Sequence, residues 1–117
     1  MRGLRIAAFA AGLAAFPAGA WAHHGWGSYD SSTVLTMEAQ IIEASYEYPH
    51  GSLVIEHEGK RWNVVLAPPS RMQRRGVWAD ELKPGLVVRV EGYPSKVEPD
   101  EMRAERITLN GRTVELR

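Results

Sequence analysis

The stretch VLTMEAQIIEASYEY, Val34 to Tyr48, decides the fold. Its apolar residues alternate as Leu35, Met37, Ala39 and Ile41, then slip one position and resume as Ile42, Ala44, Tyr46 and Tyr48. A period of two is the mark of a strand with one buried face. A doubled apolar position inside it predicts a β-bulge, an extra residue that bends the strand and re-aims its second half. Strands that bend in this way curl a small sheet until its edges meet.

The segments on either side fit that reading. Pro49-His50-Gly51 forms a turn, Leu53-Val54-Ile55 the next strand, and Glu58-Gly59 a tight hairpin leading into Trp62 to Leu66. Trp62, Val64 and Leu66 share one face there, which makes Trp62 an expected core residue. After Ala67-Pro68-Pro69 the β pattern stops, and Ser70 to Gly76 reads as a short helix begun at Pro69 or Ser70 and stopped by Gly76. Ala79 to Leu82 adds one more turn. Strands follow at Leu86 to Tyr93 and Met102 to Leu109, and Asn110-Gly111 closes a last hairpin onto Thr113 to Leu116. This order predicts an all-β fold, a small five- to six-stranded OB-like barrel with one short helix between its third and fourth strands. SH3-like barrels and half-open sandwiches have the same strand count and stay open at this point.

The start of the chain is of another kind. Arg2 and Arg5 precede an apolar run from Ile6 to Phe16, Pro17 and Gly19 break it, and Ala20-Trp21-Ala22 offers small residues at the −3 and −1 positions. This is the pattern of an export signal over residues 1–22, cut after Ala22 or alternatively after Ala20, and its apolar run is too short for a membrane span. Removing 22 residues from 117 leaves 95, enough for one small domain at 23–117, with an irregular lead-in at 23–32. The expected location is periplasmic or secreted, with no membrane anchor after processing. The chain has no cysteine, so neither disulfides nor thiolate metal sites are available. It carries 14 basic and 14 acidic residues, and losing Arg2 and Arg5 tips the mature part to 12 against 14. That balance argues against nucleic acid as a partner.

Two groups of residues carry the candidate chemistry. Cleavage after Ala22 would make His23 the first residue, placing a free amine beside the imidazoles of His23 and His24, and His50 offers a third ring nitrogen. A nitrogen-rich set of this kind suits copper(II) or, less well, another divalent metal such as nickel(II) or zinc(II). Cleavage after Ala20 would start the chain Trp21-Ala22-His23, which also suits copper(II). The second group, Trp26, Tyr29, Asp30, Tyr48, Arg74, Arg75 and Trp78, would bind a small ligand or partner protein through an aromatic surface and a pair of helix arginines. His57, between Glu56 and Glu58, reads as a solvated histidine. Phosphate-binding loops, zinc-protease signatures and nucleophile elbows are all missing, so no enzymatic activity is expected.

The mature start HHGWGSYD, the later YPHG, the RRG after a Pro-Ser step, and LKPG leading into VVRVEG resemble the exported bacterial domain-of-unknown-function family 6152. Its members open with HHSF and FD, carry W-x-N-P-H after the first strand, and continue with R-R-G-W, L-K-P-G-D and V-x-V-x-G. The resemblance runs from His23 almost to the end. It singles out His23, His24, Trp26, Tyr29, Asp30, Pro49, His50, Arg74, Arg75, Gly76, Lys83, Pro84, Gly85 and Gly92. The chain departs from the pattern at Gly25, at Tyr48 where the family has Asn, at Val77 before Trp78, and at Leu86 where it has Asp. The resemblance implies export and these positions, and no reaction.

Overall fold

The computed structural model describes residues 25–117. Residues 1–22, read as an export signal, and the histidines His23 and His24 lie outside the described residues. From Leu35 onward the chain runs β1 (Leu35–Ser45), β2 (Ser52–His57), β3 (Lys60–Val65), α1 (Pro69–Arg74), β4 (Val87–Pro94), β5 (Glu101–Leu109) and β6 (Arg112–Glu115). Single 3-10 turns lie at Trp26–Ser28 and Ala79–Glu81.

The doubled isoleucine does what its pattern predicts. The β1–β2 register shifts between Ile41 and Glu43, so the extra residue, Ile42, bulges out of the ladder while Ile41 stays buried. The two halves of β1 serve different partners. Leu35 to Gln40 pair with β4, and Ile41 to Ser45 pair with β2. The bulge is thus the corner of the barrel. Both tight hairpins form as read: Glu58 and Gly59 have φ of 51° and 79°, and Asn110 and Gly111 have 47° and 80°. Two successive positive φ values make the turn whose twist matches that of its strands.

Closure comes from a contact between strands far apart in sequence. Asn63, Val64 and Val65 of β3 pair in parallel with Glu101, Met102 and Arg103 of β5, and β5 pairs antiparallel with β4. The circuit β1-β2-β3-β5-β4-β1 is a closed five-stranded OB-like barrel, with β6 added beside β5. This pairing decides among the barrel types that the strand count left open. Inside lie Met37, Ile41, Leu53, Ile55, Val64, Leu66, Val88, Val90, Met102, Ile107 and Leu116, and α1 adds Met72 to the same core.

Trp62 faces the side that its alternation predicts, yet it is only half-buried, packing on the core from the rim. It sits beside an open groove of about 430 Å3 lined also by Val34, Leu35, Met37, His57 and Lys60, which leaves part of the indole uncovered. The lead-in is also more ordered than its composition suggests. Tyr29 forms an isolated bridge with Ser95 and is buried, because its ring lies against the barrel and its hydroxyl has a partner there. Among the described residues no helix is long and apolar enough to cross a membrane.

Candidate functional site

Strand β5 faces two ways. Met102 and Ala104 point into the core, while Glu101, Arg103 and Glu105 occupy the opposite side, which a bare barrel would leave to solvent. Here the lead-in covers that side. The Tyr29 hydroxyl donates to Glu101 Oε2 at 2.5 Å, and both residues are buried. Burial, reinforced by the neighbouring carboxylate, pushes the Tyr29 phenol well above its ordinary pKa, so it serves as a fixed donor.

Three residues upstream, the Trp26 ring meets Tyr93 edge-on, with centroids 6.1 Å apart, and Tyr29 at 6.4 Å. Two guanidiniums lie on the same indole: the Arg103 carbon is 4.3 Å from the ring centroid and that of Arg117 is 4.6 Å. Arg103 is also 5.9 Å from the Tyr29 ring. Burial pulls its pKa down, and the like charges of Arg71 and Arg117 add to that pull against Tyr29 and Glu101. Its Nε is buried and has no hydrogen-bond partner. A buried N–H left unmet costs about 1 to 3 kcal/mol, more in a charged group, so such an atom calls for an explanation.

The position of Arg103 is fixed from beneath. The β4–β5 register shifts between Glu91 and Gly92. There the strands press so close that a Cβ on Gly92 would stand 1.9 Å from the Arg103 carbonyl oxygen. Only glycine fits under Arg103.

The surrounding arginines all have acceptors. Arg71 donates to the Leu116 carbonyl at 3.2 Å, and Arg75 to the carbonyls of Glu115 and Arg117 at 2.7 and 3.4 Å. Arg106 pairs with Glu115 at 2.8 Å, and Arg117 with Glu105 at 3.3 Å. Arg112 holds Glu81 at 2.8 Å. Although burial works against the Glu81 charge, hydrogen bonds from Arg112, the Trp78 N–H and Asn110 hold its carboxyl below its usual range.

The residues singled out from the sequence are therefore scattered. Trp26 belongs to the β5 cluster. Tyr29 is too deeply buried to offer its ring to a partner. Asp30 accepts from the Ser32 hydroxyl and N–H and from Thr33, which lowers its pKa and closes a turn. Arg75 ties α1 to the C-terminal strand, while Arg74 is exposed, so the two helix arginines do not act as a pair. Tyr48 and Trp78 are 70% and 52% exposed, and neither contacts the Trp26 ring. His50 is half-buried, with Nδ1 3.2 Å from the Gly51 carbonyl. Among the described residues no group of three His, Asp or Glu could hold a metal ion, and His23 and His24 lie outside them. Sequence reasoning missed Arg103, Arg117, Glu101 and Tyr93. The available signal was the run Glu101, Arg103, Glu105 on the outward side of a strand whose inward residues are apolar.

The model of a family of unknown function, DUF6152, matches residues 10–101. No curated protein matches. Among solved structures the chain is similar to TiaS in its complex with an isoleucine tRNA and ATP, at 19% identity and a TM-score of 0.51, covering 69% of this chain and 19% of that one. It is also similar to a ZRD-deleted mutant of TiaS in complex with agmatine, at 20% identity and a TM-score of 0.54, covering 74% and 27%. At this identity the likeness shows the fold alone.

Proposed function

Because this chain belongs to DUF6152, a family of unknown function, its role rests on its own site, and we propose that it is an exported binding module. Its ligand is taken where the lead-in lies on the outer side of β4 and β5. The observation that carries this reading is the docked Trp26, a half-buried indole that brings two guanidiniums together outside the core. Two guanidiniums on one ring, one of them with a buried N–H that meets no acceptor, are an arrangement suited to recognition.

The test is a native-state mass measurement on protein isolated from the exported fraction. The expected species begins at His23 and carries a non-covalent adduct that Trp26→Ala lacks. Retention of Met1 would overturn the export reading, and the same bare mass for wild type and Trp26→Ala would overturn the binding face.

One observation favours a second reading, capture of copper(II) by the processed terminus. A carbonyl can only accept, so a hydrogen bond from His50 to Gly51 uses Nδ1–H, and Nε2 is then the nitrogen open to a metal. Copper(II) titration of wild type, His23→Ala, His50→Ala and an N-terminally extended form separates the cases. Loss of affinity on extension and in His23→Ala, with a smaller loss in His50→Ala, supports a built site. Equal binding by all four would mean nonspecific imidazole capture.

A further inference from the structure

The unmet donor on Arg103 says what kind of ligand the face would take, and this step rests on the binding-module reading above. A guanidinium stacked on an aromatic ring spends its flat face on the ring and keeps its in-plane N–H groups for an acceptor. The Arg103 guanidinium carbon lies 4.3 Å over the Trp26 ring, with Tyr29 close by, and its Nε–H is buried without an acceptor. Arg117 approaches the same ring while its Nη1 pairs with Glu105 at 3.3 Å, so a second, exposed guanidinium lies alongside. The neighbouring Arg71, Arg75, Arg106 and Arg112 have each found a carbonyl or a carboxylate.

The two carboxylates within the cluster are already engaged, Glu105 by Arg117 and by the Tyr93 hydroxyl at 2.8 Å. Glu101 Oε2 accepts the Tyr29 hydroxyl, which helps the site tolerate a buried cation while leaving the Arg103 Nε–H unmet. The seat is rigid as well, since Gly92 has no room to let the Arg103 backbone settle elsewhere. A fixed, partly dehydrated fork with a second one beside it matches the two-oxygen edge of an oxyanion, the partner to which guanidinium geometry is best suited.

We infer that Arg103 and Arg117, held on the Trp26 indole, form a binding site for a small oxyanion, a carboxylate or a phosphate. A neutral sugar or an apolar peptide would bring no charge to set against the two guanidiniums. A cation would be repelled by them.

The experiment is calorimetric titration of the mature protein with inorganic phosphate and, separately, with succinate, against chloride at matched ionic strength. The variants are Arg103→Gln, Arg117→Gln and Arg74→Gln, with thermal melts confirming that each is folded. The expected result is saturable binding of at least one oxyanion, weakened tenfold or more by Arg103→Gln, several-fold by Arg117→Gln, and unchanged by Arg74→Gln. Which of the two binds decides between carboxylate and phosphate. Binding retained in both Arg103→Gln and Arg117→Gln, or an equal response to chloride, would overturn the assignment. If Arg103→Gln fails to fold, the exposed Arg117→Gln against Arg74→Gln still decides it. An adduct on the exported protein with no response to either anion would sink the oxyanion and leave the binding face standing. No adduct and no response would sink both.

Discussion

Two tryptophans of this barrel each carry a cation on the ring, and the two pairs are built for different ends. Over Trp62 the Lys60 ammonium sits 3.9 Å from the ring centroid, donates to the Pro99 carbonyl at 2.7 Å and lies 3.8 Å from Asp100. That cation has its acceptors, and the pair latches the β4–β5 loop to the rim. Over Trp26 the Arg103 guanidinium is more deeply placed and its Nε has no acceptor at all. Similar stacking serves structure in one case and leaves binding capacity unused in the other. Polar groups left unsatisfied inside an otherwise well-paired fold are where stability has been traded for function.

The largest expected effect separates the two sites by breaking only one. Gly92→Ala would set a methyl against the Arg103 carbonyl and force β4 and β5 apart at their bulge. The expected cost is about 3 kcal/mol, a fall in Tm of more than about 10 °C for a domain of this size. Near-ultraviolet circular dichroism should show the Trp26 signal lost before that of Trp62. A variant melting within a few degrees of wild type would mean that β4 and β5 are not so tightly seated and that the Arg103 position is not fixed.

Next in size is the contrast between the rings themselves. Trp62 packs on the core from the rim, so Trp62→Ala should cost about 2 to 3 kcal/mol, short of the full penalty for a sealed core aromatic. Trp26 packs on side chains outside the core, so Trp26→Ala should cost about 1 kcal/mol. Urea unfolding of the two variants measures both. Equal costs would erase the distinction between a structural and a recognition tryptophan.

A third variant isolates the anchor. Tyr29→Phe removes the hydroxyl from buried Glu101 with little change of volume, and a hydrogen bond to a charged group is worth about 1.5 to 3 kcal/mol. The loss is expected at the lower end of that range, with hydrogen exchange quickening at Asp30, whose N–H bonds the Pro94 carbonyl at 2.9 Å. No change in that exchange would mean that the lead-in is held by other contacts.

How much of this was legible beforehand follows from the range of each interaction. The bulge at Ile41-Ile42 and the turns at Glu58-Gly59 and Asn110-Gly111 are written in adjacent residues, because alternation and positive φ are local demands. The parallel pairing of Val64 with Met102 has no local mark, since both segments read as ordinary strands. The docking of Tyr29 on Glu101 spans 72 positions and joins two polar atoms, so no hydrophobic pattern announces it. His23 and His24 stand out in the sequence because they directly follow a pattern that reads as an export signal. Arg103 does not, because an arginine on the outward side of a strand looks solvated until something lies across it.

The smallest expected effect is the sharpest test, since it asks for opposite signs from like substitutions. Lys60→Met removes a cation that has acceptors, and should cost about 0.5 kcal/mol, the modest value of an exposed stacked and paired lysine. Arg103→Met removes a half-buried cation whose Nε–H has no acceptor and leaves an unbranched apolar chain in its place. Relief from desolvation should offset the lost stacking, as when buried charges are replaced by apolar residues of similar size. Its stability should therefore match or exceed that of wild type by up to about 0.5 kcal/mol, while oxyanion binding disappears. Parallel thermal melts read the sign directly. If Arg103→Met costs about 2 kcal/mol or more, the guanidinium is chiefly a counter-charge for Glu101, and the Trp26 pair is as structural as the Trp62 pair.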